Sequence, residues 1–521
     1  MLTNCELNYK LNRGSIVNQM SFALGRTHRL KWVVGSAAFI TFLLLSIGYC
    51  LTRAPWWDEG LFSDVAINFR NHGRLGSSAL DPYGYVELPL VNRFTYWQFP
   101  LYLVSLGGWL RFVPITVAWI RLFSVAWGCI YVVCWFLIIR CLSGKESLAL
   151  VVSSVVALNY ATVAAASDGR MDMMCAALGY AAITSYICLR QSSWTRAAVW
   201  AGCFGAASLL CHPMGGLMTV SLVAIMLLDW RRIPGKALAV ACLPYVLGAV
   251  LCLLYILQAP PIFLAQTRGA SGYRVSGLWD LIRNVANDGY IRYFQFYFSF
   301  LSGIDKLKSA SLIFAVAGTL GLVVGRKRIS EPLGRVLLIL VCVSYFGVAA
   351  MDNQKLPVYF IYSMPAMSAC AAVWAYDCWQ RGGFTRVFAS VLLAGSVLST
   401  IGGFGYKIYL DTYDHVYQPA IATVKRSLPP GGLIMGGSEL GFALGFGPHL
   451  VDDRYLGYFS GKRPDVFVEN QYYGRRNSSL FNPARLYAEA MLQKQYHLEF
   501  ENSEYRIYVR NDRVNLAQAG K

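Results

Sequence analysis

The chain has 521 residues, of which 56% are hydrophobic and 14% charged, where a soluble protein carries about 25% charged residues. Net charge is +18. Apolar runs near bilayer length recur through residues 32–404, which excludes a soluble enzyme, a disordered scaffold and a secreted disulfide module and points to a polytopic α-helical membrane protein.

In chain order the apolar runs fall at 32–51, 116–140, 147–166, 173–190, 196–211, 214–229, 237–258, 308–325, 334–350, 358–378 and 386–404. The first ends in Thr52-Arg53-Ala54-Pro55 with no small-residue cleavage site, so it reads as a span and not a signal peptide. About eleven spans place the two ends on opposite sides. The basic clusters at 26–31, 140–145, 190–196, 231–236, 326–328 and 381–386 all fall on the N-terminal side, which is therefore cytoplasmic. Residues 1–31 form a cytoplasmic segment and 32–405 the membrane module. The outer face receives 52–115, 259–307, the hinge 351–357 and the tail 406–521. That tail holds 14 basic and 12 acidic residues, so the excess charge sits mostly in short inner turns and is no nucleic-acid footprint.

Residues 97–112 are apolar but short, opened by Pro100 and closed by Arg111 and Pro114. They read as a helix lying in the outer interface; a span there would put every later basic cluster outside. All fourteen cysteines lie between Cys5 and Cys378, nearly all in or beside apolar runs, and read as small packing residues. No acidic or basic cluster sits mid-span, which argues against an ion-coupled transporter.

The tail changes character. GGLIMGGSELGFALGF reads as a strand, a Gly-rich turn and a helix start, PDVFVEN as a strand, PARLYAEAMLQKQ as a helix and YHLEFENSEYRIYVR as a hairpin. Together they predict a small extracytoplasmic α/β domain over 406–521, a lid or an acceptor-docking unit. GGSELG resembles a phosphate-cradling loop without being the dinucleotide fingerprint.

Several outer constellations suit chemistry. Trp56-Trp57-Asp58-Glu59-Gly60 sets two adjacent carboxylates between tryptophans at a membrane surface, an arrangement that suits a general base or a metal ligand. Ser167-Asp168-Gly169-Arg170-Met171-Asp172 straddles an outward turn on the same face, with Asp172 where a helix dipole favours a carboxylate; capping and an Arg170–Asp172 surface pair are the plainer alternative. His212, in the next outward turn, is the only histidine of the membrane core. Lys355, in the hinge, can reach headgroups or an anionic leaving group. The loop 259–307 offers Gln266, Arg268, Arg274, Arg283 and Arg292; outward-facing arginines run against the positive-inside bias and suit a phosphate. Arg93 in the first loop raises the same question.

WWDEG after the first span, RFTYWQFPLYL in the first loop, IRLFSVAWG opening the next span, SDGRMDMM at the third turn and Lys355-x3-Tyr359-x5-Pro365 together resemble the GT-C glycosyltransferases of family 39 and its bacterial relatives. Those include protein O-mannosyltransferases and the aminoarabinose transferases acting on lipid A. The likeness covers about residues 30–190 and the hinge near 355. It implies inverting transfer of a sugar from a polyprenyl-phosphate donor to a hydroxyl acceptor (glycan, lipid or protein) on the extracytoplasmic side of a bacterial inner membrane. On that resemblance Asp58 is the general base and Glu59 orients it or the acceptor. Asp172 with Arg170, Asp168, Trp57 and His212 shapes the pocket, while Lys355, Tyr359, Arg93, Arg268 and Arg274 meet the departing phosphate. The chain departs from the pattern at Gln98-Phe99-Pro100-Leu101, where many relatives carry Lys-Pro-Pro-Leu, and at Cys211-His212-Pro213, where Thr-Lys-Gly is frequent. No cofactor is implied with certainty; Asp58, Glu59, Asp172 and His212 are possible ligands for a divalent cation. A lipid-linked sugar flippase, which predicts internal repeats and polar mid-membrane helices, and a non-catalytic envelope-assembly protein are the alternatives.

Overall fold

A computed structural model describes residues 31–271, 278–299, 303–325, 330–470 and 482–512. Each of the eleven apolar runs is helical: α1 (Lys31–Thr52), α4 (Val117–Ser143), the pair α5 (Glu146–Ala157) and α6 (Tyr160–Ala166), α7 (Met171–Leu189), α8 (Trp194–Cys211), α9 (Gly215–Leu227), α10 (Gly235–Ile256), α13 (Ser309–Val324), α14 (Pro332–Met351), α15 (Phe360–Arg381) and α16 (Gly383–Leu410). Eight of these are long and apolar enough to cross a membrane unaided, and α5 and α6 make a ninth span bent by 63°. The remaining two, α8 and α9, pack on one another and on α7, with Trp200, Val220 and Val223 exposed on their far faces. Close helix approach rests on small residues, as is usual where lipid removes the hydrophobic drive between helices. Gly318 of α13, for one, leaves no room for a Cβ against Ala371 of α15.

The bend between α5 and α6 has a local cause. Asn159 caps α6 by accepting from the Ala161 amide at 2.9 Å, and its own amide donates to Ser368 Oγ on α15 at 2.9 Å. Both polar ends of a buried asparagine are thereby satisfied.

The loop after α1 contributes α2 (Trp57–His72) and α3 (Pro100–Trp109). At ten residues α3 is roughly 15 Å long, too short to span, and it packs on α2 through buried Tyr102, Leu103 and Leu106. The loop after α10 folds into α11 (Pro260–Ser271), α12 (Leu278–Asp288) and a π-helical turn Gly289–Ser299. Gln266 joins the two loops. Its Oε1 accepts from the Tyr96 amide at 2.8 Å and its Nε2 donates to the Pro89 and Phe94 carbonyls at 2.8 and 2.9 Å.

Beyond α16, α17 (Gln418–Ser427) leads into a five-stranded sheet of order β2-β1-β3-β5-β4. Its strands are β1 (Ile434–Met435), β2 (Leu450–Val451), β3 (Val466–Asn470), β4 (Tyr496–Glu501) and β5 (Tyr505–Arg510), with the helix Asn482–Gln495 before the closing hairpin. Strands β1, β2 and β3 are parallel and β3, β5 and β4 antiparallel. The two-residue β2 has no sequence signal. Cys141 and Cys188, at the adjoining ends of α4 and α7, form a disulfide, which corrects the reading of every cysteine as a packing residue. The two helices bring their Cα atoms to 5.7 Å, inside the range a disulfide requires.

This unit is fastened to the loop after α1. Ala79 packs into its core beside Ile421, Val424 and Ile434, and Leu80 pairs with Asp452 along the sheet edge. Gly60 lies so close to the Ser438–Glu439 backbone that no Cβ fits there.

Candidate active site

The start of α2 is built around Glu59. Its carboxylate is fully buried and accepts a two-pronged contact from Arg121, Nε to Oε1 and Nη2 to Oε2, both at 2.7 Å. Arg53 Nη2 adds a third contact at 2.7 Å, the Gly169 amide a fourth at 2.9 Å and the Trp56 amide a fifth at 3.2 Å. The last of these is half of a capping box. Burial alone would raise the pKa of this carboxyl, but Arg121 and Arg53 outweigh it and hold it down at about 2. Arg121 also donates to the carbonyls of Cys50, Arg53 and Ala54, so one arginine and one glutamate clamp the end of α1, the start of α2 and the turn before α7.

Asp58, the next residue along, points elsewhere. Its Oδ2 is ion-paired with Arg170 Nη1, and Arg170 Nε is 2.9 Å from Asp172 Oδ2. The two acidic motifs therefore meet through one guanidinium, which also lies 5.3 Å from the Trp56 ring centre and 5.5 Å from that of Phe62. Asp172 is buried and its Oδ1 has no hydrogen-bond partner among the described residues. Asp168 Oδ1 accepts from Arg53 Nη2 at 3.1 Å and Trp56 Nε1 at 2.9 Å. Burial pushes its carboxyl up to about 7, with Glu59 adding to the rise and Arg53 opposing it.

Two cavities flank this chain, and Arg170 lines both. The larger, about 680 Å³, is walled by Trp57, Asp58, Gln98, His212, Tyr359 and Arg454 among others. The smaller, about 270 Å³, is bounded by Tyr49 and Arg53 of the α1 end, Tyr160 of α6, Asp168 and Asp172, and Lys407 of α16. Asp58 is on the first wall only, Asp168 and Asp172 on the second only.

Other sequence candidates are placed as follows. Trp57 Nε1 donates to Asp452 Oδ2 of the sheet unit at 2.5 Å. The same fully buried aspartate accepts from Tyr85 Oη at 2.8 Å and from the Ser438 amide and hydroxyl at 3.1 and 2.6 Å. His212 Nδ1 accepts from the Met214 amide at 3.1 Å, and its ring centre is 5.7 Å from that of Tyr359. Lys355 lines neither cavity; from a positive φ of 59° it turns inward, with Nζ 2.8 Å from Asp288 Oδ1 and 3.1 Å from the Asn284 carbonyl. Burial pulls its ammonium below the usual range, against the pull of Asp288. Arg292 completes that group, meeting Asp288 at 3.0 Å and Asp352 at 2.7 Å. Arg93 and Arg268 are exposed and line neither cavity; Arg274 lies outside the described residues.

Arg53, Arg121, Asp452 and Lys407 are central here and were not singled out by sequence. For Arg121 and Lys407 a signal existed, a charge within or just beyond an apolar run. Among the described residues no three His, Cys, Asp or Glu side chains converge as metal ligands; between Asp58 and Asp172 the bridging cation is Arg170.

The helical bundle, the acidic first loop and the C-terminal sheet unit together have the GT-C fold of multi-span membrane proteins. Among solved structures, ArnT from Cupriavidus metallidurans bound to undecaprenyl phosphate superposes with a TM-score of 0.58 at 13% identity, over 92% of this chain and 97% of that one. The oligosaccharyltransferase AglB from Archaeoglobus fulgidus, in complex with an inhibitory peptide and a dolichol-phosphate, gives a TM-score of 0.55 at 12% identity, covering 90% of this chain and 69% of that one. No family model matches the chain, and no curated protein matches it in sequence.

Proposed function

We propose that the chain is an integral-membrane inverting glycosyltransferase that moves a sugar from a polyprenyl-phosphate donor to a hydroxyl acceptor at the extracytoplasmic face of a bacterial inner membrane. The observation that carries this reading is Asp58. It is a carboxylate on the wall of the larger cavity, held by a guanidinium that also faces the smaller one. Inversion requires the attacking oxygen and the leaving phosphate on opposite sides of the sugar, and two cavities joined at Arg170 supply two sides.

In this mechanism Asp58 takes the proton of the acceptor hydroxyl as its oxygen bonds to the anomeric carbon. The bond from that carbon to the phosphate oxygen breaks, and its electron pair leaves on the lipid phosphate. Arg170 faces the charge that develops and is already in place, which is how preorganised donors lower such barriers. Asp172 Oδ1, buried and without a partner, suits a sugar hydroxyl as its donor. Tyr359 and His212 shape the larger cavity. Glu59, enclosed by two arginines, anchors α2 and takes no part in the chemistry, and Lys355 anchors the hinge. The structures with the same fold bound to undecaprenyl phosphate and dolichol-phosphate support a lipid-phosphate donor. The test is product analysis: an α-linked donor must yield a β-linked product with release of polyprenyl phosphate, and retention of configuration would overturn the reading.

A further inference from the structure

We propose that Asp452 of the sheet unit is a positioning residue for the reaction, setting the Trp57 and Tyr85 walls of the larger cavity beside Asp58. The inference rests on the reading of Asp58 as the base, and it gives the sheet unit a part in building the acceptor side.

Asp452 follows the short strand β2, and its backbone is held from both sides by the loop after α1. Its amide donates to the Ala79 carbonyl at 2.8 Å, and its carbonyl accepts from the Asp81 amide at 3.0 Å. The side chain is thereby delivered to one place. Its Oδ2 accepts from Trp57 Nε1 and from the Ser438 amide and hydroxyl, and its Oδ1 accepts from Tyr85 Oη. Trp57 opens α2 next to Asp58, and both Trp57 and Tyr85 wall the larger cavity. Two residues further on, Arg454 reaches the same wall and pairs with Glu87 Oε1 at 3.0 Å. Tyr455 Oη donates to that oxygen at 2.6 Å. One short stretch of the sheet unit thus fixes successive points of the cavity, Asp452 at Trp57 and Tyr85, and Arg454 with Tyr455 at Glu87.

Holding the sheet unit in place does not require this carboxylate. Ala79 in the unit's core and the Leu80 bridge dock it through apolar packing and backbone hydrogen bonds. Taking a carboxylate fully out of water costs far more than burying an apolar side chain there. What the carboxylate supplies and an apolar side chain cannot is direction. Trp57 and Tyr85 border a cavity of about 680 Å³, which leaves their rings room to turn inward. An indole N–H and a phenol O–H bound to the two oxygens of one planar group keep both rings against the wall. Trp57 and Asp58 are neighbours in one helical turn, so a shift of the indole passes to the base through the backbone. A misplacement of about 1 Å at a reacting group costs on the order of a hundredfold in rate.

The experiment takes two readouts on the full chain. Fluorine NMR of protein labelled with fluorotryptophan reports the indole directly, the Trp57 resonance being assigned by its absence in Trp57→Phe. Turnover of polyprenyl-phosphate sugars in proteoliposomes reports the reaction. Wild type, Asp452→Ala, Asp452→Asn and Val424→Ala are compared, with thermal midpoints recorded for each. Asp452→Ala shifts the Trp57 resonance and lowers turnover by roughly tenfold to a hundredfold. Asp452→Asn keeps both near wild type, because its carbonyl oxygen accepts from Trp57 and Ser438 while its amide donates to Tyr85 Oη. Val424→Ala opens a void in the sheet-unit core and lowers the midpoint with resonance and turnover kept. An unmoved Trp57 resonance in Asp452→Ala overturns the proposal. So does turnover that falls as far in Val424→Ala as in Asp452→Ala at equal loss of midpoint, since Asp452 then acts through stability alone. Undiminished turnover in Asp452→Ala removes the positioning role and leaves the glycosyltransferase standing. A resonance that shifts as expected, with no donor turned over by wild type, upholds the hold of Asp452 on Trp57 and strikes the glycosyltransferase reading instead.

Discussion

Replacing Glu59 by Gln separates anchoring from chemistry more sharply than any other single change. In the wild type its pKa falls from an ordinary 4.5 to about 2, a difference of about 3 kcal/mol in favour of the folded state at neutral pH. Removing one partner of a fully buried ion pair costs about 3–5 kcal/mol, because Arg121 stays fully buried and Arg53 mostly so. The two routes agree. Glu59→Gln therefore lowers the thermal midpoint clearly at pH 7, as followed by fluorescence size-exclusion after heating. The sign is fixed by linkage: a depressed carboxyl stabilises above 4.5, and that stabilisation is lost as pH falls from 4.5 toward 2. The difference between wild type and variant accordingly shrinks across this window. An unchanged midpoint at pH 7 combined with lost transfer would refute the reasoning and return Glu59 to the reaction.

Further outcomes follow from the same contacts. Lys355→Ala leaves Asp288 and Asp352 to share the single cation Arg292, so it lowers the thermal midpoint at a cost below the roughly 3–5 kcal/mol of a wholly unpaired buried charge, and an effect confined to KM for the donor would contradict its structural placement. Arg170→Lys loses transfer nearly as fully as Arg170→Ala, because an ammonium cannot reproduce a fork that serves Asp58 and Asp172 together; turnover assays of both variants decide it. Asp168 carries a carboxyl raised from 3.8 to about 7, so the fold holds its proton longer than the unfolded chain, and this group's contribution to stability declines as pH rises from 3.8 to 7. The stabilisation gained by Asp168→Asn grows across that range and levels off above it, read as a difference of midpoints. Gly60→Ala drives a Cβ into the Ser438–Glu439 backbone and loosens the sheet unit, which limited proteolysis detects as accelerated cleavage after α16.

The fold was legible because membrane spans announce themselves. A run of apolar residues has few options in lipid, so all eleven runs appear as helices, and the tail strands and hairpin follow from alternation and turn residues. The meeting of the two acidic motifs was only half legible. SDGRMD and WWDEG fall on one face by topology, but nothing in the spacing shows that Arg170 joins Asp58 to Asp172. Glu59 and Asp58 look equivalent as neighbours, yet adjacent helical residues diverge by about 100°, so one faces Arg121 and the other a cavity. Arg121 is 62 positions from Glu59, and no local pattern encodes such a pair. Lys355 is turned by a left-handed backbone that an Asn-Gln-Lys-Leu-Pro hinge does not advertise. Asp452, buried between the sheet unit and the first loop, looks in sequence like any acidic loop residue.

The most direct test of the central claim is sugar transfer from polyprenyl-phosphate donors in proteoliposomes, run in parallel on wild type, Asp58→Asn and the double variant Asp58→Asn/Glu59→Gln. Turnover by wild type, its loss in Asp58→Asn with only a small fall in thermal midpoint because Arg170 keeps Asp172 as a partner, and a much larger fall when Glu59 is also replaced are the predicted results. Wild-type turnover that persists undiminished in Asp58→Asn would contradict the assignment of the base and the account built on it.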